Sequence, residues 1–274
     1  MNATPNYWSL DGPVPRGGLL TIDGQPKTIK GEKAGYLTAV LHLSPADRSG
    51  RNVCPHASAG CRAACLNESG RGGIGLDADG MNTIQAARIR RTRYWARDRA
   101  GFLAALVREV ELFTAKAERR GLAPAVRLNG TSDLPWERWP VTRDGVTFPN
   151  IMEAFKADGV TFYDYTKWPT ARRRKGCPNW PSNYSLTFSL SEDNAELAAA
   201  ELAAGVNVAA PFTTRKGQAL PPSGMVAGTL AAVIDGDESD LRFTDPVGVI
   251  VGLRAKGARR LVDAGVRAGF ILPA

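Results

Sequence analysis

The chain has 274 residues, enough to bury a large hydrophobic core, and this length suits about one or two domains. No stretch reaches the roughly 18 apolar residues of a membrane helix, and the amino terminus lacks a signal-peptide pattern. We therefore expect a cytoplasmic protein without a membrane partner. The net charge of +8 favours a polyanion such as nucleic acid, although a merely basic surface gives the same composition.

In chain order, residues 1–35 predict an irregular amino-terminal arm, and residues 36–274 predict a single α/β domain. A strand is expected at 36–43, directly before a loop that contains three cysteines. Apolar residues then recur at helical spacing over 81–120, and a break near 99–101 divides this stretch into two helices.

Short apolar runs alternate with helical patterns in the rest of the chain. Further strands are expected at 125–128, 160–163, 184–189, 206–210, 231–234 and 247–252, and further helices at 149–157, 193–204 and 256–268. Strands that alternate with helices are typical of a parallel sheet. With the first strand they make seven, which predicts a TIM-like barrel, complete or incomplete. A doubly wound open sheet is the alternative.

Polar residues follow these strands at the points where each should end. In parallel α/β folds the carboxyl ends of the strands form the active face, although such residues also serve as ordinary loop and cap residues. We predict a catalytic set of Asp133, Asp164, Lys167 and Asp235. A cofactor-binding set is predicted at Asn129, Ser132 and Glu192.

Three of the four cysteines, Cys54, Cys61 and Cys65, lie within twelve residues with the spacing C-x6-C-x3-C. A cytoplasmic location is reducing, so these thiols favour metal binding over disulfides. A closed zinc site takes four ligands, whereas three leave one position open. An iron–sulfur cluster (4Fe-4S) with one open iron is the favoured interpretation.

Zinc is the competing metal, with a fourth ligand from Cys177 or His56. Three buried thiols without any metal are the remaining alternative. The chain has only two histidines, so histidine-based acid–base chemistry is not expected.

Two arginine-rich segments carry much of the positive charge. Arginine beside aromatic residues suits phosphate contact and base stacking, and a solvated helix face is the alternative. The predicted nucleic-acid contacts are Arg90, Arg93, Arg97, Arg172, Arg173 and Arg174.

Several motifs together resemble the gene product 88 family of actinobacterial phages. They are the cysteine loop, Arg127 to Asp133, Tyr163 to Lys167, Thr187 to Ser189 with Glu192, and Asp235 to Asp237 with Asp240 to Phe243. The resemblance implies a phage protein in the host cytoplasm and carries no reaction with it. The three-cysteine loop after the first strand is also similar to the radical-SAM architecture, whose usual spacing is C-x3-C-x2-C.

The leading hypothesis is therefore an iron–sulfur enzyme that modifies a nucleic-acid base or nucleotide, with S-adenosylmethionine or the substrate on the open iron. The first alternative resembles the queuine-type transglycosylases: a zinc-containing base-exchange enzyme acting on DNA or tRNA, with Asp235 or Asp164 as nucleophile. The second is a non-catalytic nucleic-acid-binding protein stabilised by zinc.

Overall fold

A computed structural model describes residues 18–22 and 26–274. The expected irregular arm therefore lies largely outside the described residues. Where the arm is described it has regular structure, with a short strand and a helix. The strand Leu20–Thr21 pairs antiparallel with Val40 and Leu41, and the helix Pro26–Lys33 packs on the strand that follows it. Both elements contact that strand, and the β1 segment also binds the Glu109 carboxylate.

The fold is built on a nine-stranded sheet of order β1-β2-β3-β6-β7-β8-β11-β10-β9. Its strands are β1 Leu20–Thr21, β2 Tyr36–Leu41, β3 Ala123–Arg127, β6 Thr161–Thr166, β7 Tyr184–Ser189, β8 Val208–Phe212, β9 Ser223–Val226, β10 Thr229–Asp235 and β11 Ile250–Arg254. A separate hairpin pairs β4 Val141–Arg143 with β5 Val146–Phe148. The seven strands expected from the sequence are the seven that run parallel.

The sheet is a mixed α/β sheet that is not closed into a barrel, so the TIM-like prediction is not confirmed. Its edges are β1 and β9, and each pairs antiparallel with a single neighbour. The chain order also reverses near one edge, because β11 inserts between β8 and β10. An open sheet, the alternative architecture, describes the fold better.

The described chain has eight α-helices, of which seven lie between strands and α8 follows the last strand. They are α1 Pro26–Lys33, α2 Ala59–Ala63, α3 Thr83–Arg97, α4 Arg99–Arg119, α5 Ile151–Ala154, α6 Thr170–Lys175, α7 Ala195–Ala203 and α8 Arg259–Arg267. The break near 99–101 is the junction of α3 and α4, where the Asp98 carboxylate accepts the Gly101 N–H at 2.8 Å and caps α4.

The larger core lies between the sheet and α4, on what we call the helix face. Buried residues recur along α4 at three- and four-residue intervals from Phe102 to Ala117. They pack against Leu37, Val126 and Phe162 of three neighbouring strands. Alternate strand residues point to opposite faces, so the residues between these belong to the other side of the sheet.

That opposite face is covered by the connection between β10 and β11. Phe243 of this connection packs edge-on against Tyr36 and Tyr163, with ring centroids 5.1 and 5.5 Å away. Lys30 of α1 donates to the Asp237 carbonyl at 2.6 Å. The sheet is therefore enclosed on both faces near β2, β3 and β6.

A buried ion pair supports the loops beyond β3 and β6. The Arg173 side chain is completely buried and pairs with both carboxylate oxygens of Glu137. Arg173 also donates to the Leu134 carbonyl at 3.4 Å and to the Tyr184 hydroxyl at 3.1 Å. The Nε and Nη2 donors of this guanidinium are thus used inside the protein, whereas Nη1 has no hydrogen-bond partner among the described residues.

No helix in the described part of the chain is long and apolar enough to cross a membrane.

Replacement of the buried arginine tests this support. Arg173→Met leaves the Glu137 carboxylate buried without its cation, so we expect the free energy of unfolding to fall by about 3–5 kcal/mol. The adjacent, exposed Arg172 provides the matched control. Arg172→Met should change the free energy of unfolding by less than about 0.5 kcal/mol. Urea unfolding at equal metal content measures both, and equal losses would contradict the assignment.

Candidate metal centre

The three-cysteine loop leaves the carboxyl end of β2 and includes α2. Within it, Cys54 N–H donates to the Asn52 side chain at 2.8 Å, and the Cys54 thiol donates to the Thr131 carbonyl at 3.7 Å. The Ser58 hydroxyl caps α2 by accepting the Cys61 N–H at 3.1 Å. These local bonds hold the loop against the segment that follows β3.

The three thiols are half-buried neighbours that affect one another electrostatically. Burial is the main cause that raises the pKa of Cys54 to about 12, and the Cys65 and Cys61 thiols contribute to this rise. Burial also raises the pKa values of Cys61 and Cys65. All three thiols are therefore protonated at neutral pH, and a bound metal would have to displace their protons.

As the side chains stand, no group of three or more His, Cys, Asp or Glu residues in the described chain is arranged to hold a metal ion. Metal binding at this loop therefore requires the thiol side chains to turn towards a common point.

Lys167 approaches the thiols from the end of β6. Its ammonium donates to the Ser189 carbonyl at 3.3 Å, the Ser189 hydroxyl at 3.1 Å and the Leu190 carbonyl at 3.0 Å. Burial lowers the pKa of Lys167, whereas Cys61 and the nearby acids oppose that shift. The lysine places a positive charge beside Cys61.

Asp133 joins the loops after β2, β3 and β6. Its N–H donates to the Val53 carbonyl at 2.8 Å, and its Oδ2 accepts the Lys167 N–H at 2.8 Å. Asp133 is thus next to the cysteine loop and to Lys167, as expected if these groups form one site.

Glu192, predicted to bind a cofactor, instead holds the cysteine loop. Its carboxylate accepts the Gly60 N–H at 2.6 Å and the Ser58 hydroxyl at 2.7 Å. A Cβ atom at position 60 would lie 2.7 Å from the Phe270 Cβ, so this close approach requires glycine. The loop after β7 therefore fixes the position of Cys61.

Asn129 and Ser132 stabilise the turn after β3. The Asn129 side-chain oxygen accepts hydrogen bonds from the Ser132 hydroxyl, the Leu134 N–H and the Trp136 indole at 2.8 to 3.0 Å. Its amide donates to the Leu134 carbonyl at 3.0 Å. Since Asn129 is buried and uses both ends of its amide, its contacts serve the turn.

The structure separates Asp164 from Lys167. Asp164 points to the helix face, where it accepts the Asn129 N–H at 2.6 Å and the Tyr184 hydroxyl at 3.0 Å. Burial raises its pKa to about 7, although Arg127 and Arg173 oppose the shift. Tyr165 points to the other face and lies beneath Arg127. The polar residues at the end of β6 therefore do not form one cluster.

Asp235 lies at the end of β10, in an ion-pair cluster of its own. Both of its carboxylate oxygens accept from Arg254 Nη1, at 2.7 and 2.8 Å. Asp237 also faces Arg254 and pairs with Lys256. Asp235 therefore forms an ion pair with Arg254 and does not belong to the cysteine loop.

The predicted arginine contacts divide by exposure. Arg172 and Arg174 are exposed, and the Arg174 guanidinium lies 5.0 Å from the centre of the Trp180 ring. Arg173 is buried and cannot present its guanidinium to a phosphate at the surface. On α3, Arg97 is exposed, whereas Arg90 and Arg93 are half-buried, and Arg93 donates to the Ser49 carbonyl at 3.1 Å.

The two suggested fourth ligands lie at different places. Cys177 is influenced by Glu137, Glu153 and Arg138, and its thiol donates to the Asn179 carbonyl at 3.6 Å. His56 is exposed and packs 4.9 Å from the Trp168 ring. Sequence reasoning missed Ser58, because a hydroxyl cap is recognisable only once the start of α2 is known.

A family model described as gene product 88 matches residues 19–272. The chain belongs to this family. The match covers the whole cysteine loop and every strand of the large sheet. No curated protein and no solved structure matches the chain significantly. The chemistry of this family member must therefore be inferred from its own residues.

The buried carboxyl of Asp164 predicts a pH-dependent stability. Its pKa is about 7 in the folded protein and about 3.8 in an unfolded chain, so the folded state keeps a proton that the unfolded state loses. Its contribution to stability therefore falls as the pH rises between these values. The variant Asp164→Asn does not have this loss. Its free energy of unfolding, compared with that of the wild type, should therefore rise by about 1–3 kcal/mol between about pH 5 and about pH 8.

Urea unfolding at both pH values measures this difference. The exposed Asp144 is the control, since Asp144→Asn should show no such gain. If the difference in unfolding free energy between Asp164→Asn and the wild type is the same at both pH values, the Asp164 carboxyl is already ionised at the lower pH.

Proposed function

We propose that this protein is an iron–sulfur enzyme that modifies a nucleic-acid base or nucleotide, with Cys54, Cys61 and Cys65 holding the cluster. The supporting observation is the meeting of the cysteine loop with Asp133 and Lys167 at the carboxyl edge of β2, β3 and β6. This edge is where parallel α/β proteins place their reactive groups.

The donor set suits a site with one open position. The three thiols are near one another, whereas Cys177 and His56 lie among other residues. A structural zinc site uses four protein ligands, and an incomplete protein shell is typical of a metal that also binds substrate or cofactor. Three local ligands therefore favour a chemical role over a purely structural one.

The open iron of such a cluster would bind S-adenosylmethionine or the substrate, in the manner of the radical-SAM layout that the loop resembles. The residues of this chain would control its surroundings. Lys167 would offset the negative charge of the thiolates through its position beside Cys61. Asp133 would keep Lys167 in place by accepting its N–H, and Glu192 would keep Cys61 in place through Gly60 and Ser58.

The preference for a nucleotide or nucleic acid is supported by the surface beside this edge. Helix α6 begins three residues after Lys167 and presents Arg172 and Arg174 to solvent. In the same loop the Trp168 ring lies against His56 on one side, and the Arg138 guanidinium is 4.7 Å from its centre. Exposed arginines and aromatic rings are the groups that contact phosphates and bases.

We assign no nucleophile to Asp164 or Asp235. The first is buried beneath Asn129 and Tyr184, and the second is paired with Arg254. The transglycosylase-like alternative requires one of them to attack a sugar carbon, so it has less support than the cluster.

Metal analysis of protein purified without oxygen tests the proposal. We expect about four iron and four acid-labile sulfide per chain, with a brown colour, for the wild type. Cys61→Ala should lose them because one of three ligands is missing. Cys177→Ala is the matched control and should keep the full content, since Cys177 lies away from the loop. Cleavage of S-adenosylmethionine under reducing conditions then tests the reaction.

If the wild type contains one zinc per chain and Cys61→Ala loses it, the loop is a zinc site and not a cluster site. If Cys177→Ala also lost that zinc, the site would be a closed structural one, as the non-catalytic nucleic-acid-binding alternative requires. Equal metal content in Cys61→Ala and the wild type would remove the loop from consideration as a metal site.

A further inference from the structure

A second group of polar side chains lies on the opposite face of the sheet, outside the proposed metal site. Arg127 of β3 and Tyr163 and Tyr165 of β6 face the connection between β10 and β11, which contributes Arg242. We call these four residues the arginine–tyrosine cluster. They belong to the segments that carry the family resemblance, and the proposed function does not use them.

The members of the cluster lie close together. The Arg127 guanidinium is 4.5 Å from the centre of the Tyr165 ring, and Arg127 Nη1 is 3.3 Å from the Asp240 carboxylate. The Tyr165 hydroxyl is influenced by Asp240, Arg242, Arg127 and Asp245, which places these charges around it.

Among the described residues, five donor atoms of the cluster have no hydrogen-bond acceptor. They are Nε of Arg127, Nε and Nη1 of Arg242, and the hydroxyls of Tyr163 and Tyr165. The Arg242 side chain is only 2% exposed and Tyr163 is fully buried, so water outside the protein does not reach them. A buried donor without an acceptor costs about 1–3 kcal/mol. Asp245 Oδ2, 3.2 Å from Arg242 Nη1, is also buried without a hydrogen bond, so one such acceptor stands against five donors.

The charges of the cluster are nearly balanced. Arg127 pairs with Asp240, and Arg242 Nη1 lies 3.2 Å from Asp245. His42 nearby adds no charge, because burial and neighbouring arginines lower its pKa to about 3. Burial raises the pKa of Tyr165 to about 12, so its hydroxyl keeps its proton at neutral pH. Because the arginines already have counterions, the cluster needs hydrogen-bond acceptor atoms more than it needs further negative charge. A ligand with a small net charge would supply them.

We propose that the arginine–tyrosine cluster binds a singly charged oxyanion, as found in a phosphodiester or a carboxylate group. Such a group offers several acceptor oxygens in a compact shape that suits guanidinium N–H and phenol O–H donors. The Arg127 side chain is 17% exposed, so solvent reaches the cluster at this residue. The site is distinct from the cysteine loop and does not depend on a metal there.

Removal of the tyrosine hydroxyls distinguishes a ligand site from a structural one. Tyr163→Phe and Tyr165→Phe each delete a donor that lacks an acceptor, so ligand-free protein should melt no lower than the wild type. Tyr36→Phe is the matched control on the same face, since Tyr36 packs against Phe243 through its ring. All variants keep the cysteine loop intact.

The probes are dimethyl phosphate, acetate and uncharged trimethyl phosphate at constant ionic strength. A saturable rise in Tm gives the Kd for each probe. We expect at least one anion to bind the wild type and Tyr36→Phe, with trimethyl phosphate giving no shift. Loss of one hydroxyl bond to an anion should weaken binding about tenfold in Tyr163→Phe and Tyr165→Phe. The tighter anion distinguishes a phosphodiester from a carboxylate ligand.

Three binding results would each overturn the proposal. They are no saturable shift with either anion, an equal shift with trimethyl phosphate, and unchanged affinity in both tyrosine variants. A lower ligand-free Tm in both variants would also overturn it, since the hydroxyls would then have structural partners such as buried water. None of these results affects the metal analysis, which uses other residues.

Discussion

The candidate site depends on the hydrogen bonds of Asp133. Its N–H binds the Val53 carbonyl beside Cys54, and its carboxylate accepts the N–H of Lys167. Three loops that are far apart in sequence are thereby joined at one edge of the sheet. Behind Asp133, Arg173 Nη1 approaches its second carboxylate oxygen to 3.9 Å, and Glu137 holds that arginine in place. A buried ion pair is costly without further hydrogen bonds, and here the Leu134 carbonyl and the Tyr184 hydroxyl supply two more to Arg173.

A single strand separates the chemical roles of neighbouring residues. Along β6, Asp164 points to the helix face and supports the turn at Asn129. Tyr163 and Tyr165 point to the opposite face and meet the connection between β10 and β11. Lys167 lies beyond the end of the strand, and its positive charge acts on the Cys61 thiol. The pleat of the strand causes this division, because successive side chains alternate between the two faces.

The positive charge of the chain is not all available at its surface. Arg173 is buried with Glu137, while Arg127 and Arg242 are paired with Asp240 and Asp245. Arg172 and Arg174, next to the buried Arg173, remain exposed. The net charge of +8 therefore combines structural ion pairs with a smaller group of arginines that can meet a polyanion.

The sequence by itself determined the seven parallel strands, the α3–α4 break and the clustering of the three cysteines, because each of these depends on residues close together in the chain. It did not reveal β1, β4, β5 and β9, which are too short to show a period and form only by pairing with another strand. Tertiary structure alone decided that the sheet stays open, because the insertion of β11 between β8 and β10 is a long-range pairing. It also decided which polar residues lie together: Asp133 and Lys167 meet, whereas Asp164 faces away, because the direction of a side chain depends on the register of its strand.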